Sequence, residues 1–295
     1  MVLPVVAGVD GSASSLRAVD WAADAAVRHE APLRVLCATG PALGTPVPEL
    51  RENAERIRDL ALEHARKRVP SVEVTGEIVP ENAADALLSA GRNAFALVVG
   101  SRGRGGVTGM LLGSVGLAVA GRADCPVVVV RGEPDSGTEP VVLGVQDEDA
   151  EEATGRAPGI EDTAEGRSAA EFAFREAQRR GCELIALHAW RTSGGGEPDS
   201  GGPEEADAAE QGRARAEKVI DEAVGPARER YPDVVVRRRA TGGPARQALL
   251  NAAREASLLV VGAHARHGHF GLQLGLVNHA VLHHSPCPVA VVPQA

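Results

Sequence analysis

The chain has 295 residues, 44% of them hydrophobic and 24% charged, with a formal net charge of −9. That is material for one large domain or two ordinary ones with real cores. The acidic balance argues against a nucleic-acid binder, which needs a basic stripe against phosphates, and 2% aromatics leave almost nothing for bases to stack on. No run approaches the roughly 18 to 20 apolar residues needed to span a bilayer. The start, MVLPVVAGVDGS, lacks the charged end and long apolar stretch of a signal peptide. The four cysteines, Cys37, Cys125, Cys182 and Cys287, form no CxxC pair. The expectation is a cytoplasmic protein with reduced, mostly buried thiols.

In chain order, PVVAGV (4–9) reads as a strand, 14–30 as a helix, RVLCA (34–38) as a strand and 48–69 as a helix. VEVTGEIV (72–79) alternates as a strand, 83–93 has helical spacing, ALVVG (96–100) is a strand, 113–123 a helix and CPVVVV (125–130) a final strand. Continuous valine runs suit parallel strands buried on both faces. Ser12 or Ser14, and Ser114, are N-cap candidates. Five strands alternating with helices give a doubly wound α/β sheet, in which ligands bind beyond the carboxyl ends of the strands.

The pattern then repeats. ADCPVVVV (123–130) returns as SPCPVAVV (285–292), so Cys125 maps to Cys287, 162 residues on, as Gly100 does to Gly262 and Gly113 to Gly275. Near the starts, PVVAGVDGS (4–12) resembles PVVLGVQDE (140–148) with a shift of only 136; insertions at 148–167 and within 191–212 absorb the difference. A period this long means two domains rather than a solenoid: 1–132 and 139–295, joined by a linker at about 131–139.

The candidate site is the passage GSRGRGGVTGMLLGSVG (100–116), which follows the fourth strand and opens the next helix. Glycines let backbone N–H groups approach a phosphate, and a helix start offers free donors and a positive dipole end beside the Ser114 hydroxyl. Arg102 and Arg104 add charge, although the passage also reads as a flexible βα turn. Other phosphate signatures fail. The two lysines, Lys67 and Lys218, follow no P-loop, GVDGSAS is no dinucleotide fingerprint, and LGSVG is not GxSxG.

Gly100-x2-Gly103-x9-Gly113-Ser114 matches the G-x2-G-x9-G-[ST] motif of ATP-binding universal stress proteins. The resemblance extends to the VDGS-like first turn, to the LHAW end of the second strand in the second half (Leu187 to Trp190) and to both CPVxVV strands. It implies two tandem domains of the actinobacterial type, each a five-stranded parallel sheet of order 3-2-1-4-5 flanked by helices. It further implies ATP as ligand, with Asp10 beside the nucleotide, Ala38 offering backbone groups to adenine, Gly100, Gly103, Gly113 and Ser114 cradling ribose and phosphates, and Val115 adjacent. Asp10 is also the candidate carboxylate for Mg²⁺ held with the phosphates; its plain reading is a turn residue before Gly11. The family's last strand pairs across a dimer. Pairing of the two halves within the chain, a homodimer and an unidentified regulatory protein partner are expected accordingly.

The second copy keeps Gly262 and Gly275 but has Gln146 for Asp10, Ala265 for Gly103 and Leu276 for Ser114. Ala265 adds a Cβ where backbone would approach phosphate and disfavours positive φ. ATP is therefore expected in the first half and weakly or not at all in the second. His264, His267, His269, His279, His283 and His284 cluster there, with His279 and His283 at zinc-ligand spacing but without HExxH; no metal site is assigned. SGGGEPDSGG (193–202) hints at the loop of adenylating enzymes but has the wrong spacing and place, and reads as a linker. No catalytic residue is assigned. A slow ATPase or adenylyl-transfer enzyme, and an interaction scaffold with both sites vestigial, stand as alternatives to a nucleotide-binding stress-response protein.

Overall fold

The computed structural model describes residues 2–40, 47–103, 112–132, 138–146, 168–190, 203–264 and 274–294. They fall into two compact units, the first built on Met1–Gly132 and Pro288–Pro293, the second on Glu133–His264, Gly275–Cys287 and the C-terminal Gln294.

In the first unit, β1 (Val5–Val9), β2 (Leu33–Ala38), β3 (Val74–Val79), β4 (Ala96–Gly100) and β5 (Val127–Val130) lie in the order β3-β2-β1-β4-β5, all parallel. The helices are α1 (Ala13–Arg28), α2 (Val47–Arg68), α3 (Ala83–Gly91) and α4 (Ser114–Arg122). The valine runs behave as expected: all of β5 and the first four residues of β4 are buried, and each fully buried valine contributes roughly 1.5–3 kcal/mol. At the β3 end of the order only Val74 is buried, which is why its sequence alternates. A sixth strand, β10 (Val289–Gln294), runs antiparallel to β5, with Val289, Ala290 and Val291 opposite Val129, Val128 and Val127. The terminal strands of the two repeats thus pair with each other, and the backbone edge of β5 is covered.

In the second unit β6 (Val141–Gly144), β7 (Leu184–Trp190), β8 (Val236–Gly242) and β9 (Leu258–His264) take the order β9-β6-β7-β8, again parallel. The first four strands of this repeat therefore follow the same 3-2-1-4 scheme, while its fifth, β10, counts with the first unit. Its helices are α5 (Ala169–Arg180), α6 (Pro203–Arg230), α7 (Ala245–Ala252) and α8 (Leu276–His284). The inserted segments 148–167 and 191–202, SGGGEPDSGG included, lie outside the described residues.

Caps explain where the helices start. Ser12 caps α1 by accepting from the Ser15 N–H, and Ser168 caps α5 in the same way from Glu171. Ser114 is not a cap: the N-cap of α4 is Gly113, extended at φ −71 and ψ 150, and Ser114 is the first helical residue. None of the four cysteines is in a disulfide; Cys37, Cys125 and Cys287 are buried and Cys182 half-buried. Among the described residues no helix is long and apolar enough to cross a membrane.

Candidate functional site

Parallel strands fed by alternating helices leave a crevice at their carboxyl ends, where β1 and β4 diverge to opposite sides of the switch in strand order. In the first unit this crevice is a cavity of about 710 Å³, within the range of small-ligand sites. Asp10, Ala38, Gly100, Arg102, Gly103, Gly113, Ser114 and Val115 all line it. Residues separated by a hundred positions in the chain are brought together because β1, β2 and β4 end side by side. Arg104 lies outside the described residues.

The loop leaving β4 is tied down at several points. The Gly113 N–H donates to the Ser101 carbonyl at 2.9 Å, closing the base of the 101–113 excursion, and the Ser101 N–H donates to Val130 at 3.1 Å. The first turn of α1 holds the next residue: the Arg102 N–H donates to Ser14 Oγ at 3.3 Å and Ser12 Oγ donates to the Arg102 carbonyl at 3.4 Å. Ser14 also covers Gly100 so closely that a Cβ there would come within 2.6 Å of its backbone. Ser12 and Ser14, read from sequence only as caps, are thus the clasp of the loop.

Asp10 combines both of its readings. Gly11 sits at φ 82, the turn conformation expected of an Asp-Gly pair, and the Ser12 N–H donates to Asp10 Oδ1 at 3.0 Å. Its other oxygen faces the loop: a Cβ on Gly103 would lie 2.7 Å from Asp10 Oδ2. This corrects one of the two reasons given for glycine at 103: its φ is not positive, and glycine leaves room there for the Asp10 carboxylate.

The two ends of the cavity differ chemically. At one end α4 begins with no side-chain cap at Gly113, so the first-turn N–H groups of Ser114, Val115 and Gly116 have no intrahelical acceptor and present the positive end of the helix dipole. At the other, α2 contributes Leu50, Asn53, Ala54 and Ile57, a helical i, i+3, i+4, i+7 face, opposite Leu36 and Cys37 of β2, Thr39 just after it and Leu87 of α3. Sequence reasoning missed this wall. Its only signal is the apolar spacing of α2, which a core-facing helix shares. Among the described residues, Asp10 and Arg102 are the charged side chains on the lining. One carboxylate is enough for Mg²⁺ only where phosphates supply further ligands, and among the described residues no group of three metal-binding side chains occurs.

In the second unit the three substitutions divide. Gln146 reaches the Gly262 carbonyl with Nε2 at 3.4 Å, Leu276 at the head of α8 is 92% exposed, and Ala265, His267 and His269 lie outside the described residues. His279 and His283 stack with ring centroids 4.4 Å apart.

The first unit is thus a doubly wound α/β sheet with a cavity at its strand ends, lined by the glycines after β4 and by the start of α4. The model of the universal stress protein family matches residues 1–131 and again 158–293. A universal stress protein of Mycolicibacterium smegmatis is 35% identical over 307 residues, covering 98% of this chain and 96% of that one. One from Mycobacterium tuberculosis is 33% identical over 311 residues, covering 99% and 97%. The crystal structure of a universal stress protein from Archaeoglobus fulgidus superposes with a TM-score of 0.69 at 18% identity, covering 99% of this chain and 98% of that one, a likeness of fold. The chain belongs to the universal stress protein family, in its tandem two-domain form.

Proposed function

We propose that the first unit binds an adenine nucleotide, ATP in particular, and that the protein acts in a stress response through nucleotide-dependent conformation or assembly. The observation that carries this reading is the cavity of about 710 Å³ with one apolar and one donor-rich end. Such a division suits a ligand with a flat apolar ring at one end and an anion at the other. The base lies against Ala38 and the α2 wall, the ribose near Asp10, and the phosphates on the Gly103 loop and the α4 amides. Backbone donors at a helix start hold anions without a cationic side chain. With Asp10 as the lining's carboxylate, the residues serve binding better than turnover. On this reading, occupancy of the first unit biases the association of the protein with a second copy or a regulatory protein.

Calorimetric titration of ATP into the whole protein tests the reading, with Gly103→Ala alongside. The expected result is one site per chain, weakened by more than about tenfold, or 1.4 kcal/mol, in the variant. Absence of heat and of competition by AMP in the wild type would sink the reading.

A further inference from the structure

Gly116 lies in the first turn of α4 and on the cavity lining. A Cβ built there would meet Leu112 Cδ1 at 3.4 Å, Val99 Cγ2 at 3.7 Å and the Gly100 carbonyl at 3.8 Å, all ordinary contacts. The packing of the unit therefore does not require glycine, and glycine is the poorest helix former after proline. What its lack of a side chain preserves is open space above Gly100.

The 162-residue shift that relates Gly100 to Gly262 places Asn278 at this position in the second unit, in the first turn of α8. Asn278 is 3% exposed, and its Nδ2 donates to the Gly262 carbonyl at 2.7 Å. Two more carboxamides converge there. Gln146 Nε2 donates to the same carbonyl at 3.4 Å, and Gln294 lies over Gly262, where a Cβ would come within 2.6 to 2.7 Å of its carboxamide atoms. Their counterparts in the first unit are Asp10, which faces Gly103, and Gly132, which has no side chain. An amide carries donor and acceptor together, so these side chains meet the strand-end groups themselves and occupy the volume besides. The Asn278 Oδ1 is buried and meets no donor among the described residues. A phosphate, which brings only acceptors, could not satisfy it.

We propose that position 116 decides whether a repeat of this chain admits a phosphate at its strand ends. Gly116 leaves the first unit open, while Asn278, with Gln146 and Gln294, stands in for the ligand in the second. The chain accordingly takes one nucleotide and not two; the inference rests on the first unit being a nucleotide site.

The test is ATP titration of the full chain as wild type, Gly116→Ala and Gly116→Asn, each with a thermal melt. The expected results are one site in the wild type, a loss of more than about tenfold in the asparagine variant, and a clearly smaller loss in the alanine variant, which keeps the Gly116 N–H and adds only a methyl group. Melting of the asparagine variant should be unchanged or higher, because asparagine is the better helix former. Wild-type affinity in Gly116→Asn overturns the proposal, as does equal loss in both variants, which would assign the effect to any Cβ. Two sites in the wild type overturn it while leaving the nucleotide reading intact. No site in the wild type removes that reading, and the proposal with it.

Discussion

Gly103 and Asp10 form a pair in which each limits the other. A methyl group at 103 would sit 2.7 Å from Asp10 Oδ2, so either the loop or the carboxylate has to move. In the second repeat both positions differ at once, with Gln146 and Ala265. The expected outcome is coupling: Gly103→Ala costs markedly less ATP affinity in an Asp10→Ala background than in the wild type, because contacting residues do not add. Calorimetry on the four proteins measures it. The thiols are a second case at this scale. Burial pushes the Cys125 thiol up to about 12 and raises Cys182 as well, so at neutral pH their reactive thiolates are scarce. Alkylation of Cys125 in the native protein should be slow at pH 7 and should accelerate as pH rises towards its shifted value. Mass spectrometry of the labelled chain follows it, and rapid labelling at pH 7 would contradict the burial.

Ion pairs separate the elements that depend on electrostatics from those merely decorated by it. In α5, Arg180 Nε meets Glu176 Oε2 at 3.1 Å with the side chains 3% and 0% exposed. On the outer face of the first unit, Arg68 of α2 meets Asp24 of α1 at 2.7 Å with 43% of its side chain exposed. Arg180→Ala removes the guanidinium that faces a carboxylate in the interior and should cost roughly 3–5 kcal/mol. Arg68→Ala should cost at most about 1 kcal/mol. Chemical denaturation reads both. Element by element, the sequence disclosed what the hydrophobic pattern alone determines. The buried runs ALVVG and VVVV read as interior strands, and of the two cap candidates Ser12 and Ser14 it is Ser12 that opens α1. It concealed whatever depends on distant partners. Leu50, Asn53, Ala54 and Ile57 look like any helix face, and only the meeting of α2 with β2 turns that face into a cavity wall. The start of α4 was misplaced by one residue because Gly113, lacking a side-chain oxygen, takes the cap position through backbone shape. Gly116 is equally silent until the space beside it is seen.

At the scale of the whole molecule, a duplicated sequence has yielded two units of one fold whose strand ends carry different side chains. The glycine motif persists in the first, whereas carboxamides gather at Gly262 in the second. Truncation before Val289 strips β5 of its antiparallel partner and leaves the buried run Val127–Val130 with an open edge. The expected product is aggregated or unfolded protein, checked by size-exclusion chromatography; a well-behaved monomer would refute the role of β10. The opposing residues of that pair, Val129 and Val289, are 160 residues apart in the chain. Closing so long a loop carries a larger entropic cost than any neighbouring-strand pairing in the first unit, and contacts of this separation slow folding. Domains otherwise fold from the N-terminus as they are synthesised. Here β5, in the unit that carries the candidate site, gains its antiparallel partner only once a segment 160 residues further along has been made.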